Sequence, residues 1–304
     1  MRALITGVSG FVGRHLIEHL RASGDDVEGC DREDGSIDIA DRASIDGVLR
    51  SFRPEVVYHL AGWSDVGGSW AHPEATFRAN AEGTLNLLLA CRDEGVERVL
   101  SVSSADVYGI VSEDELPIAE TAPLRPVTPY AASKVASDYL GLQAWLGWKL
   151  PVLRVRAFNH LGPGQAPKFV APALAERIAR NERDGGNDVP IGNLSARRDF
   201  TDVRDVVRAY RLLMEHGEAG EVYNVCSGTD VAIEEIAGRL IAGARSSMAL
   251  VHDPTLERPV DIPVLRGDNT RIRAATGWTP QIPLDQTLVD LLQEMRDRVS
   301  QGRG

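Results

Sequence analysis

The chain has 304 residues, 43% hydrophobic and 25% charged, as a soluble globular protein of one large or two unequal domains would. Its formal net charge of -11 argues against nucleic acid or an anionic membrane as a main partner, so an anionic ligand would need a local cluster of Arg or Lys. Residues 1–7 hold too few apolar side chains for a signal peptide, no run reaches membrane length, and Cys30, Cys91 and Cys226 are too scattered for a disulfide framework or metal site, so a cytoplasmic protein without metal is expected.

Residues 3–5 read as a short buried strand, followed by Gly7, Gly10 and Gly13 and then a helical pattern through Phe11, Leu16, Ile17 and Leu20. Strand, glycine turn and helix open a dinucleotide-binding unit: Gly7 permits the tight turn, Gly10 lets backbone approach a pyrophosphate, and Gly13 allows close helix–strand packing. The helix N-terminus faces the phosphates. Residues 27–31 read as the second strand, with Asp31 where a carboxylate meets an adenosine ribose. Asp31 favours NAD because it repels a 2′-phosphate. Arg32 beside it suits that phosphate, which keeps NADP open. Asp38 and Ile39 end a predicted third strand; residues 54–61 and 99–103 form the fourth and fifth. Helices over 44–52 and 73–92 complete an alternating βα pattern, hence a parallel sheet covered on both faces.

Ser104, Ala105 and Asp106 leave the fifth strand at the edge where ligands bind in open α/β sheets. Ser104 there either bonds a substrate oxygen or closes its own turn. Thr128 is placed to cap a helix with Pro129 at its first position. On that helix Tyr130 and Lys134 share a face, one turn apart. The ammonium is expected to lower the phenol's pKa toward neutrality, making Tyr130 a proton donor and acceptor at working pH. A buried strand over 152–157 leads to Asn159 and the turn 162–165. Residues 181–188 read as a surface turn, and Asp202 as the cap of a helix over 203–215.

This series resembles the extended short-chain dehydrogenase/reductase family: Gly7, Gly10 and Gly13, Asp31, Asp38 and Ile39, His59-Leu60-Ala61-Gly62, Asn80, Ser104, Tyr130 and Lys134. The resemblance covers essentially the whole chain. It implies a Rossmann-type doubly wound α/β sheet over 1–157, interleaved with a smaller α/β substrate-binding part over 158–304. It also implies a trio of Ser104, Tyr130 and Lys134, with Lys134 on the nicotinamide ribose. Phe11 and Val12 would join the glycines at the coenzyme, Asp38 and Ile39 would flank adenine, and Leu60, Ala61, Gly62 and Asn80 would line the cleft. Asn159-His160-Leu161-Gly162-Pro163-Gly164-Gln165 and Arg197-Arg198-Asp199-Phe200-Thr201-Asp202 look like the GDP-sugar branch, and within it the GDP-4-dehydro-6-deoxy-D-mannose reductases.

The implied partners are NAD or NADP and a GDP-linked deoxy sugar, with a homodimer built on the helices after Pro73 and around Tyr130. Leu140, Leu142, Trp145 and Trp148 would serve that interface or the core. Arg198 and Arg258 would offer planar forks to the diphosphate, with Asn159, Lys168 and Val170 nearby. The other reading pairs Arg198 with Asp199 or Asp202, and Arg258 with Asp261. A 4,6-dehydratase of the same branch carries Glu where Asp106 stands. One methylene fewer leaves the carboxylate ~1.5 Å short, where ~1 Å matters ~100-fold. Reduction is therefore expected over dehydration, with C4 epimerisation or a non-catalytic nucleotide-binding module as further alternatives.

Overall fold

The computed structural model describes residues 1–302 except 33, 34, 36 and 257–261. The first half alternates strand and helix: β1 Arg2–Thr6, α1 Phe11–Ala22, β2 Asp26–Cys30, α2 Arg42–Phe52, β3 Val56–His59, α3 Pro73–Phe77, α4 Gly83–Asp93, β4 Arg98–Ser104, α5 Pro129–Trp148 and β5 Val152–Ala157. Then come β6 Asn159–Leu161, α6 Val170–Asp184, β7 Asp188–Ile191, β8 Arg197–Asp202, α7 Val203–His216, β9 Val222–Val225, β10 Asp230–Ala232, α8 Ile233–Ala242, β11 Ala249–His252, β12 Val264–Leu265, α9 Thr270–Thr276 and α10 Leu284–Ser300.

Six strands form a sheet in the order β2-β1-β3-β4-β5-β9, every neighbouring pair parallel. Parallel pairing requires covered faces, and both are covered. Ile5, Tyr58, Leu100 and Val155 pack against α1 and α7 on one side. Leu4, Val57, Val99 and Val152 pack against α2, α4 and α5 on the other. A second core joins α6, α8 and α10. Strand β8 carries β10 and β12 on its two edges, and β6 runs parallel beside it. The chain returns to the first sheet after entering this second part, since β9 pairs with β5 and α7 lies on α1.

Three sequence expectations are corrected here. Asp38 and Ile39 form no strand; the Asp38 carboxylate accepts the Ala40 N–H at 2.9 Å, a local Asx turn that competes with pairing. Asn86 pins this loop through the Ile39 carbonyl. The helix expected over 73–92 is interrupted by a π turn, Arg78–Glu82, which re-aims Asn80. Residues 181–184 belong to α6, which ends at Gly185 in the left-handed conformation, so the surface turn is shorter than expected. Among the described residues no helix is long and apolar enough to cross a membrane.

Candidate active site

The glycine turn meets its expected geometry. Gly10 is the N-cap of α1 and brings no side-chain cap, which leaves first-turn N–H groups at the sheet's C-terminal edge for an anion. A Cβ on Gly13 would stand 2.3 Å from the Gly7 carbonyl oxygen, so helix and turn touch there without room for a methyl. Phe11 and Val12 begin α1. The Asp31 carboxylate accepts the Ser9 N–H at 3.0 Å, beside the turn, and Arg32 is exposed next to it.

Leu60 and Ala61 leave β3 held to Thr6. Gly62 follows at φ +155°, and a Cβ there would lie 2.5 Å from Asn80 Oδ1 and 3.8 Å from Lys134 Nζ. Asn80 in turn accepts the Trp63 N–H and donates to Ser133 Oγ at 2.8 Å. Backbone, amide and ammonium thus converge on a spot only glycine leaves open, a cradle that fits a dinucleotide lying along the sheet edge.

Tyr130 sits in the first turn of α5, which starts as expected: the Thr128 hydroxyl accepts the Ala131 N–H and Pro129 opens the helix. Its side chain is 8% exposed. Burial pushes the phenol well above its ordinary pKa, the Asp106 charge adds to the rise, and Ser104 pulls the other way. Lys134 donates to the Val102 carbonyl at 3.0 Å, and burial lowers its pKa to about 8. The expected lowering of the phenol by this ammonium is therefore corrected. Desolvation moves both groups toward their neutral forms. Ser104 closes β4 and caps the 3-10 turn Ala105–Tyr108, accepting the Asp106 N–H at 3.2 Å.

The described part of the second half places Asn159 and Arg198 on one face of adjacent strands, Asn159 standing opposite Phe200 in register. Arg198 is buried, with Nη1 donating to the Arg197 and Ile262 carbonyls at 2.9 and 2.6 Å. The carboxylates weighed as its partners are held by other groups. Asp199 accepts from Ser227, Gly228 and Gly267, and Asp202 caps α7 while binding Arg204 and Thr287. Lys168 is exposed, its ammonium 5.4 Å from the Phe169 ring, and Val170 opens α6. Arg258 and Asp261 lie outside the described residues. A cleft of about 400 Å³ between β8 and residues 280–284 contains none of the expected site residues.

The chain matches the family described as "NAD dependent epimerase/dehydratase family" over residues 3–226. It belongs to that family. It is 40% identical to a GDP-6-deoxy-D-mannose reductase of Pseudomonas aeruginosa, over 98% of both chains. It is 32% identical to a UDP-glucose 4-epimerase of Mycolicibacterium smegmatis, over 98% of this chain and 99% of that one. It is 26% identical to a GDP-mannose 4,6-dehydratase of Vibrio cholerae, over 96% and 93%. Among solved structures, RMD from Pseudomonas aeruginosa complexed with NADPH superposes with a TM-score of 0.90 at 38% identity, covering 98% of this chain and all of that one.

Within this family member the sequence reading missed Ser69 and Thr84, and named His59 only as part of the family motif, without its bonds. Ser69 is fully buried and its hydroxyl accepts the Tyr130 N–H at 3.2 Å. Thr6, His59 and Thr84 form a buried chain, with His59 bonded to both hydroxyls at 2.8 and 3.0 Å. The signals were present but faint: a serine between a glycine pair and Trp70, and a histidine inside an apolar strand.

Proposed function

We propose that this protein reduces the C4 keto group of a GDP-4-keto-6-deoxy-hexose with NADH or NADPH. When bound, the dihydronicotinamide supplies the hydride. Tyr130 gives its proton to the substrate oxygen as negative charge develops on it. Ser104 donates a hydrogen bond to the same oxygen, and Lys134 contributes positive potential beside the phenol. Arg198 and Asn159 are assigned to the nucleotide sugar, with Lys168, Val170 and Arg258 as further candidates. Glycine turn, Asp31 and Arg32, Asp38 and Ile39, and residues 60–62 with Asn80 are assigned to the coenzyme.

The observation that carries the reading is the buried Tyr130 phenol at the start of α5, with Ser104 closing β4, at the edge of a glycine-cradled sheet in a chain whose likeness to a GDP-6-deoxy-D-mannose reductase runs end to end. Asp106 favours a second reading, 4,6-dehydration of GDP-mannose, since its charge reaches Tyr130. Ala105, buried and without a proton to exchange, counts against it. The test offers purified protein three substrates: the GDP-4-keto-6-deoxy sugar with NADPH or NADH, GDP-mannose alone, and GDP-mannose's C4 epimer alone. Coenzyme oxidation with the first supports reduction. Keto-sugar formation from the second, or interconversion of the last two without coenzyme turnover, replaces it. The proposal extends to a cytoplasmic homodimer.

A further inference from the structure

Asp138 lies one turn beyond Lys134 on the face of α5 that carries Tyr130, and its carboxylate is fully buried. Two arginines of β5 close on it. Arg154 Nη1 donates at 2.8 Å, and Arg156 donates through Nε at 2.9 Å and Nη2 at 3.3 Å. Arg156 also reaches onward. Its Nη1 donates to the Glu120 carbonyl at 3.0 Å and to Tyr108 Oη at 3.1 Å, and its guanidinium lies 5.2 Å from the Tyr108 ring centre. Tyr108 Oη donates to Asn224 Oδ1 at 2.7 Å. Tyr108 is the last residue of the 3-10 turn that Ser104 caps and that carries Asp106. One planar guanidinium therefore bridges the helix holding Tyr130 and the turn that Ser104 caps.

Stability alone is a poor reason for this cluster, because apolar residues of similar size often replace buried ion pairs without loss. What a fork with fixed donor directions supplies is a defined distance between two elements. We propose that Asp138, Arg156 and Tyr108 are positioning residues that set the Ser104 hydroxyl against the Tyr130 phenol. This rests on the acid assignment made above for Tyr130.

The test is a double-mutant cycle. Tyr108→Phe keeps the ring and removes the hydroxyl; it is made alone and with Ser104→Ala, which keeps Tyr130 as proton donor. Turnover is measured on the GDP-4-keto-6-deoxy sugar with NADPH, on protein shown by circular dichroism to be folded. Positioning predicts a roughly 10- to 100-fold loss in kcat with KM within about twofold for Tyr108→Phe alone. In the Ser104→Ala background the further loss is under about twofold, because the partner being positioned is gone. Equal losses in both backgrounds, a change in KM alone, or an unaffected kcat would overturn the proposal. Asp138→Asn repeats the cycle if Tyr108→Phe does not fold. Full turnover by Tyr130→Phe would instead remove the acid assignment, so the two failures are told apart.

Discussion

A side chain proposed to give up a proton needs to hold one at working pH, as any tyrosine does, and burial moves the Tyr130 phenol further toward its protonated form. The phenol and Lys134 were singled out in the sequence by their spacing together with the glycine turn and Ser104 that precede them. The sign of their electrostatics was not legible there, because spacing carries the pair attraction but not the burial that opposes it. In the proposed mechanism the active form has Tyr130 protonated and Lys134 charged. With Lys134 near 8, kcat for reduction is expected to fall as pH rises through about 8, and Lys134→Met should abolish that limb while lowering kcat throughout. A pH–rate profile of both proteins checks this. His59 gives a stability effect of opposite sense. Its folded pKa, about 3, lies below the usual value, so the unfolded chain binds the extra proton and stability falls as pH drops below about 6.5. The slope approaches about 1.4 kcal/mol per pH unit, and denaturant midpoints of His59→Gln across pH 7 to 4.5 should lack that component.

Elements whose boundaries depend on local chemistry were read well. The cap at Thr128, Pro129 at the first position of α5, Asp202 capping α7 and the strand at 152–157 all stand as the sequence implied. Thr128→Ala is expected to cost about 1 kcal/mol in thermal or denaturant unfolding, the usual value of a lost hydroxyl cap. Elements set by tertiary contact were not legible. The π turn that aims Asn80 leaves no mark on the hydrophobic period. Asp38 reads as a strand end until its own carboxylate is seen closing a turn. The ion pairs of Arg154 and Arg156 in β5 with Asp138 were likewise not read from the sequence. Gly13→Ala pushes a methyl to 2.3 Å from the Gly7 carbonyl, so α1 must move off the turn. Coenzyme affinity measured by fluorescence titration should fall at least about tenfold; unchanged affinity would mean the turn does not touch the coenzyme.

At the scale of the molecule, the α/β class followed from the alternation of strands and helices. Which apolar residues face outward did not. Leu140 and Trp148 pack into the core beneath α4 and α5, and Trp145 lies against Gly220. Phe77 on α3 and Tyr139 and Leu146 on α5 are the large side chains left 51, 54 and 59% exposed on two helices in contact. They are the patch on which the proposed homodimer would form, and Leu146→Glu is then expected to shift it toward monomer in sedimentation velocity. The chemistry itself is tested most directly by Tyr130→Phe. The account predicts at least a ~100-fold loss of coenzyme oxidation with the GDP-4-keto-6-deoxy sugar, while NADPH and GDP dissociation constants stay within about threefold. Turnover near that of the unaltered protein would contradict it.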